Sequence, residues 1–150
     1  MTKLILLVED NPSDEKLTLR ALKGCGVAND VIVVRDGAEA ISFLFDSGPF
    51  RGQDVNRIPT LILLDLRLPR IEGLEVLRRI RAHAPTSLLP VVILTSSKED
   101  EDLARSYALG ANAYVRKPLD FTEFAQAAKV LGLFWLLVNE PAPAPAVKAT

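Results

Sequence analysis

Asp65 follows four consecutive large aliphatics, Leu61-Ile62-Leu63-Leu64, and the pair Glu9-Asp10 follows five, Leu4-Ile5-Leu6-Leu7-Val8. Runs of that kind read as strands buried on both faces of a parallel sheet. The rim beyond their carboxyl ends is where open α/β sheets hold ligands. An acid there is a nucleophile, a metal ligand or a helix cap. Two further apolar runs end in complementary chemistry: Thr95-Ser96-Ser97 closes one, and Lys117-Pro118 closes the other. An acid at any one place occurs about once in eight, so two acids, a hydroxyl and a lysine coincide by chance on the order of 10⁻⁴ to 10⁻³. Unrelated caps and solvated ends are disfavoured by that count.

These groups must be carried by alternating elements. Strands are expected at about 4–9, 31–35, 60–65, 90–95 and 112–116, with helices near 12–24, 37–46, 73–83, 99–109 and 121–138. Asn11-Pro12 sets a cap before a proline at the first helical position. Asp36 with Glu39, and Asp120 with Glu123, read as capping boxes, and Gly110 as a left-handed helix stop. The (βα)5 rhythm implies an α/β fold with a doubly wound parallel sheet, helices on both faces and right-handed crossovers. Strand order does not follow from rhythm alone. Residues 1–138 form the expected domain, with a long connection from Asp46 to Pro59. From Asn139 the Pro/Ala-rich sequence reads as an extended, unpacked tail.

With 150 residues the chain suits one domain, and a formal charge of −1 without a basic block gives no support to nucleic-acid binding. The lone thiol, Cys25 between Gly24 and Gly26, excludes an internal disulfide and reads as a loop residue without a role. No signal peptide is visible. The most apolar late stretch, Val130 to Val138, is nine residues, far short of the roughly 20 that span a bilayer. A cytoplasmic protein without membrane contact is expected.

Val8-Glu9-Asp10-Asn11, Asp65-Leu66-Arg67-Leu68-Pro69 with Gly73, Leu94-Thr95-Ser96-Ser97 and Tyr114-Val115-Arg116-Lys117-Pro118 together resemble the receiver domain of two-component response regulators. The resemblance runs from about Lys3 to the last helix. It implies the flavodoxin-like strand order 2-1-3-4-5, which comes with the family rather than from the rhythm.

Given that order, the first and third strands lie about 4.8 Å apart and their terminal carboxylates converge. Two charges about 5 Å apart repel by roughly 3 kcal/mol at an effective dielectric of 20, so the site calls for a cation. Oxygen-only ligands suit Mg²⁺. The fifth strand ends roughly 9–10 Å from the third, a gap that the flexible stem of Lys117 can span; Thr95 offers a hydroxyl from the strand between them.

The family implies specific roles. Asp65 accepts a phosphoryl group from a phosphohistidine on a sensor histidine kinase. Asp10 and Asp65 hold Mg²⁺ directly, Glu9 acts through water, and the main-chain carbonyl of Arg67 supplies another ligand. Lys117, aimed by a cis bond to Pro118, neutralises phosphoryl oxygens. Thr95 and Tyr114 occupy the switch positions, the hydroxyl moving toward the phosphoryl group as the aromatic turns inward. Leu68 replaces a methionine common in the family, a volume-conserving change. Arg67 is larger and more basic than the usual residue and bears on access of water to the phosphoaspartate. His83, at a helix C-terminus that favours a cation, is not expected to be a phosphodonor.

No output domain is apparent, so a signal is expected to pass by protein contact to an unknown downstream protein. Leu133 to Val138 is apolar at every position, and six helical residues at 100° each cannot all face the sheet. The stretch from Phe121 to Val138 is therefore the expected surface of a homodimer or another partner. Asn11-Pro12-Ser13-Asp14, Gly48-Pro49-Phe50 and Phe134-Trp135-Leu136 are similar to the small regulators paired with bacterial phytochrome-type kinases. Two other classes remain open. A Mg²⁺-dependent phosphohydrolase with an aspartyl-phosphate intermediate usually carries an acid two residues after its nucleophile, where this chain has Arg67. A phosphorylation-independent interaction module has no need of Asp10, Asp65, Thr95 and Lys117 together.

Overall fold

The computed structural model describes residues 3–26, 28–45, 58–117, 120–140 and 142–143. Most of the 46–59 connection, the Lys117–Pro118 bond and most of the tail lie outside the described residues. The strands are β1 (Lys3–Val8), β2 (Asn29–Val34), β3 (Leu61–Leu64), β4 (Val91–Thr95) and β5 (Ala113–Arg116). The helices are α1 (Pro12–Lys23), α2 (Gly37–Leu44), α3 (Gly73–Ala82), α4 (Asp100–Ala108) and α5 (Phe121–Leu133). All strand pairs are parallel and the order is β2-β1-β3-β4-β5, the flavodoxin-like arrangement. Elements fall within two residues of expectation except at the end of α5.

Alternation along the central strands divides the core in two. Leu4, Leu6, Val8, Ile62 and Leu64 face a layer containing Phe43 of α2 and Val76, Leu77 and Ile80 of α3. Ile5, Leu7, Leu61 and Leu63 face Leu22 of α1 and Leu131 of α5. β1 and β3 are thus covered on both sides, which is why their sequences are unbroken aliphatic runs. Each fully buried aliphatic stabilises the fold by about 1.5–3 kcal/mol, so the two strands carrying Glu9 and Asp65 are, with β4, firmly held.

Local signals set the helix starts. Asn11 Oδ1 accepts from Ser13 N at 2.9 Å and Asp14 N at 3.1 Å, with Pro12 next to the cap. Asp36 Oδ1 accepts from Glu39 N at 2.8 Å, but the Glu39 carboxylate reaches back to Arg35 N rather than to the cap residue itself. Asp120 Oδ1 accepts from Thr122 N and Glu123 N. Gly110, at φ 100°, closes α4 in the left-handed region where a Cβ is costly.

Two expectations are corrected. Cys25 is not an idle loop thiol: it is 2% exposed, packed in the core with Leu22 and Leu131. It lies close beneath Gly132, where an added Cβ would fall 3.1 Å from its Sγ. The last helix does not run unchanged to Val138; α5 gives way to a π-helical turn, Phe134–Val138. That wider turn tucks Leu136 in and packs Trp135 partly against the α1–α5 core, leaving Phe134, Leu137 and Val138 exposed. Of the tail, Ala142 and Pro143 are described and exposed, beside a cavity that Lys3, Ile58, Leu88 and Leu89 also line at the pole opposite Asp65.

Candidate phosphoacceptor and metal site

Asp65 sits one residue beyond β3, held by a hydrogen bond from its own N–H to Val8 O at 3.1 Å. Glu9 is one residue beyond β1, its N–H bonded to Val34 O at 3.0 Å. The strand ladder thereby fixes the two carboxylates side by side. Asp65 is 6% exposed and Glu9 1%, whereas Asp10 faces solvent.

The two oxygens of Asp65 have different partners. Oδ1 accepts from Thr95 Oγ1 at 2.9 Å and from Arg67 N at 3.2 Å. Oδ2 accepts from Lys117 Nζ at 2.8 Å. Lys117 crosses from the end of β5, its N–H tied to Thr95 O at 2.8 Å, and its ammonium also donates to Glu9 Oε1 and, at 2.9 Å, to Asp14 Oδ2. Three strands and one helix thus converge on a single buried cation.

Electrostatics follow from this packing. Burial opposes the charge on Asp65, but the charge and hydrogen bond of Lys117, with further hydrogen bonds from Glu9 and Thr95, outweigh it and hold the carboxyl below its ordinary range. Burial likewise opposes the charge on Lys117, yet Asp65, Glu9 and Asp14 hold its ammonium above the ordinary lysine value. Glu9 is different: burial pushes its carboxyl up to about 7 against the pull of Lys117, and the charge of Asp65 adds to the rise. Of the two neighbouring carboxyls, Asp65 is thus the stronger acid and Glu9 the weaker.

This has a measurable consequence. An acid whose pKa is raised by folding binds more protons folded than unfolded, so the stability it contributes is complete below its ordinary 4.5 and is lost as pH rises through about 7. The depressed Asp65 acts oppositely, its contribution present above 3.8 and lost as pH falls through its folded value. The two windows separate. Denaturation in the presence of a chelator should show wild type losing roughly 2–3 kcal/mol relative to Glu9→Gln between pH 5 and pH 8. A constant difference between the two proteins across that range would contradict the assignment.

One carboxylate oxygen from each of Glu9, Asp10 and Asp65 lies within 4.8 Å of the others. This donor set is all oxygen, with one acid open to solvent, and it fits a hard divalent cation that keeps water ligands. The expected residues Glu9, Asp10, Asp65, Thr95 and Lys117 are therefore brought together. Arg67 adjoins them through its backbone N–H, while its side chain points to α4, bonding Asp102 Oδ2 at 2.7 Å. Tyr114 is partly buried, its hydroxyl donating to Ser97 O at 3.3 Å. His83 caps α3 and lies edge-on to Phe45, with centroids 4.7 Å apart, a structural setting. Asp14 was not singled out from sequence as a site residue. An acid in the first turn of a helix already has a sufficient explanation in the helix dipole, and only the fold shows it reaching Lys117.

The chain matches the model of the response regulator receiver domain over residues 5–129. It is 37% identical over 134 residues to the response regulator Rcp1 of Synechocystis sp., covering 89% of each chain. The Mn²⁺-bound form of Rcp1 superposes with a TM-score of 0.84 at 36% identity, covering 96% of this chain and 99% of that one. The phosphorylated cyanobacterial phytochrome response regulator RcpA superposes with a TM-score of 0.87 at 37% identity, over 97% and 100% of the two chains. The bacteriophytochrome response regulator RtBRR is 50% identical, with a TM-score of 0.75 over 95% and 86%. No helix among the described residues is long and apolar enough to cross a membrane. With its acidic strand ends, bridging lysine and β2-β1-β3-β4-β5 sheet, the chain belongs to the response regulator receiver domain family.

Proposed function

We propose that this receiver accepts a phosphoryl group on Asp65 from a sensor histidine kinase, of the phytochrome type, in a Mg²⁺-dependent reaction, and signals through protein contacts. The observation that carries the reading is the division of labour on Asp65. Its carboxylate is kept ionised, with a hydroxyl on one oxygen and an ammonium on the other. A carboxylate oxygen of Asp65 attacks phosphorus, the N–P bond of the donor breaks, and the released imidazole takes a proton. Lys117 and Thr95 are placed to accept the new phosphoryl oxygens as partners without large movement. Glu9, Asp10 and Asp65, with the Arg67 carbonyl, would hold Mg²⁺, which supplies charge neutralisation of the transferring group. Release of Lys117 and Thr95 from the carboxylate to the phosphoryl group, with Tyr114 responding through Ser97, is the proposed switch. Similarity to the phytochrome response regulator RcpA and the bacteriophytochrome response regulator RtBRR supports the phytochrome pairing; a cytoplasmic setting is part of the same proposal.

The output surface proposed is the outer face of α5 and the turn that follows. Val130 is 55% exposed, and Leu137 and Val138 67% each, beside an open groove of about 630 Å³ that includes Val115, Ala127 and Leu131. Exposed apolar side chains of this sort suit a second copy of the chain.

Intact-mass measurement after incubation with Mg²⁺ and acetyl phosphate tests the reaction. One base-labile phosphoryl group per chain is expected, absent in Asp65→Asn. Catalytic release of phosphate from phosphoesters would instead indicate a phosphohydrolase, and no mass gain from either acetyl phosphate or a phosphorylated kinase would indicate an interaction module. Sedimentation of the same samples should show a dimer.

A further inference from the structure

The Arg67 side chain, two residues beyond Asp65, is turned away from it. Its guanidinium bonds Asp102 Oδ2 at 2.7 Å and approaches Glu99 Oε2 at 3.4 Å. Asp102, in the first turn of α4, is only 6% exposed. The same Asp102 oxygen accepts from Ser97 Oγ at 2.6 Å, and the Asp102 main chain is pinned by Ser106 Oγ, which donates to its carbonyl at 2.7 Å. Ser97 is in turn bonded through its N–H to Thr95 Oγ1 at 3.3 Å. A buried carboxylate deprived of its cation is costly, so Asp102 resists release of Arg67. Glu99, exposed on its side chain by 67%, offers a weaker, screened contact.

We propose that Asp102 is a positioning residue: its buried carboxylate, braced by Ser97, holds the Arg67 guanidinium on α4 and away from Asp65, leaving the phosphoryl group there open to hydrolytic water. The proposal rests on the phosphoacceptor reading above. Hydrolysis requires water to attack phosphorus as the P–O bond to Asp65 breaks, giving inorganic phosphate and restoring the carboxylate, with the water's proton passing to solvent. A guanidinium freed from Asp102 would be drawn to the dianionic phosphoryl group through charge-assisted hydrogen bonds and would cover that approach. The latch also places the length of the signal under the control of α4, because a partner that displaced Asp102 would lengthen it.

The test follows decay of the phosphorylated full chain by intact mass after removal of acetyl phosphate, at constant Mg²⁺. Asp102→Asn keeps the shape and a hydrogen bond to Ser97 but loses the charge; its decay should slow by threefold or more. In an Arg67→Ala background the Asp102→Asn change should have less than a twofold effect, an outcome that a merely structural role for Asp102 would not produce. Unchanged or faster decay in Asp102→Asn, or slowing that persists without Arg67, overturns the proposal. A second measurement needs no substitution to fold: NMR of the Arg67 guanidinium should show hindered rotation in unphosphorylated wild type. Freely averaged Arg67 signals there overturn it as well. No mass gain on wild type would count against the phosphoacceptor reading, and the pairing is then judged by the NMR result.

Discussion

Lys117→Met should abolish phosphoryl uptake and, in chelated protein, lower stability by about 3 kcal/mol at pH 8. The Lys117 side chain is 6% exposed and its ammonium contacts Asp65, Glu9 and Asp14 together. Methionine fills similar volume, so the cost is electrostatic rather than a cavity. Without the ammonium, the desolvation that already opposes ionisation of Asp65 goes uncompensated, and its carboxyl moves up instead of down. The loss should shrink at pH 5, where the orphaned acids take protons instead of remaining buried charges. Lys117→Arg should not restore activity, because a planar fork cannot replace a compact ammonium among three carboxylates. Phosphoryl uptake is read by intact mass and stability by denaturant titration at both pH values. A Lys117→Met protein that is equally stable at pH 8 would show that the ion cluster does not hold the strand ends together.

How much of this was legible beforehand depended on whether the signal lay along the chain or across it. Asp65 and Glu9 were visible because unbroken aliphatic runs mark doubly covered strands, and a charge can appear only where such a run leaves the core. Thr95 was visible for the same reason, whereas Lys117, after the half-exposed edge strand Ala113–Arg116, was visible only as the polar residue closing a fifth strand candidate. The neighbours of each strand were not, since the βα rhythm permits several orders; resemblance supplied the one observed. Asp102 was hidden among Asp100, Glu101 and Asp102, three consecutive acids in one first turn. Which of them turns inward depends on the position of α4 against the β3–α3 loop, and that is set by contacts remote in sequence. Cys25 was hidden by its glycine neighbours, which mark the loop it does occupy but not that Gly132 of α5 packs over its Sγ. At the end of α5 the apolar run correctly indicated more hydrophobic surface than one face can bury. It did not reveal that a π-helical turn would sort Leu136 inward from Leu137 and Val138.

Gly73→Ala should destabilise the protein by about 3 kcal/mol, lowering Tm on the order of 10 °C for a domain of this size, although alanine is the better helix former. Helix propensity favours the substitution by roughly 0.5–1 kcal/mol. Sterics oppose it more strongly: a Cβ on Gly73 would lie 2.2 Å from the Asp65 carbonyl oxygen and 2.6 Å from Leu66 Cα. Both obstacles are backbone, so no rotamer change relieves them. The contact arises because the chain leaving β3 folds back at once, with Gly73 N–H donating to Leu66 O at 3.0 Å. That turn places α3 directly behind Asp65 and sets the angle at which it leaves the strand. Relief of the clash must therefore come from moving Asp65 or α3, and α3 is anchored by the buried Val76, Leu77 and Ile80. β3 is held as firmly by Leu61–Leu64, so the shift falls on the Asp65–Leu66 link between them and on the carboxylate that Thr95 bonds at 2.9 Å and Lys117 at 2.8 Å. Gly73→Ala should accordingly slow phosphorylation by acetyl phosphate by tenfold or more while the protein remains folded at 20 °C. Serine should behave like alanine. A variant with wild-type Tm and phosphorylation rate would show that the β3–α3 turn does not fix Asp65.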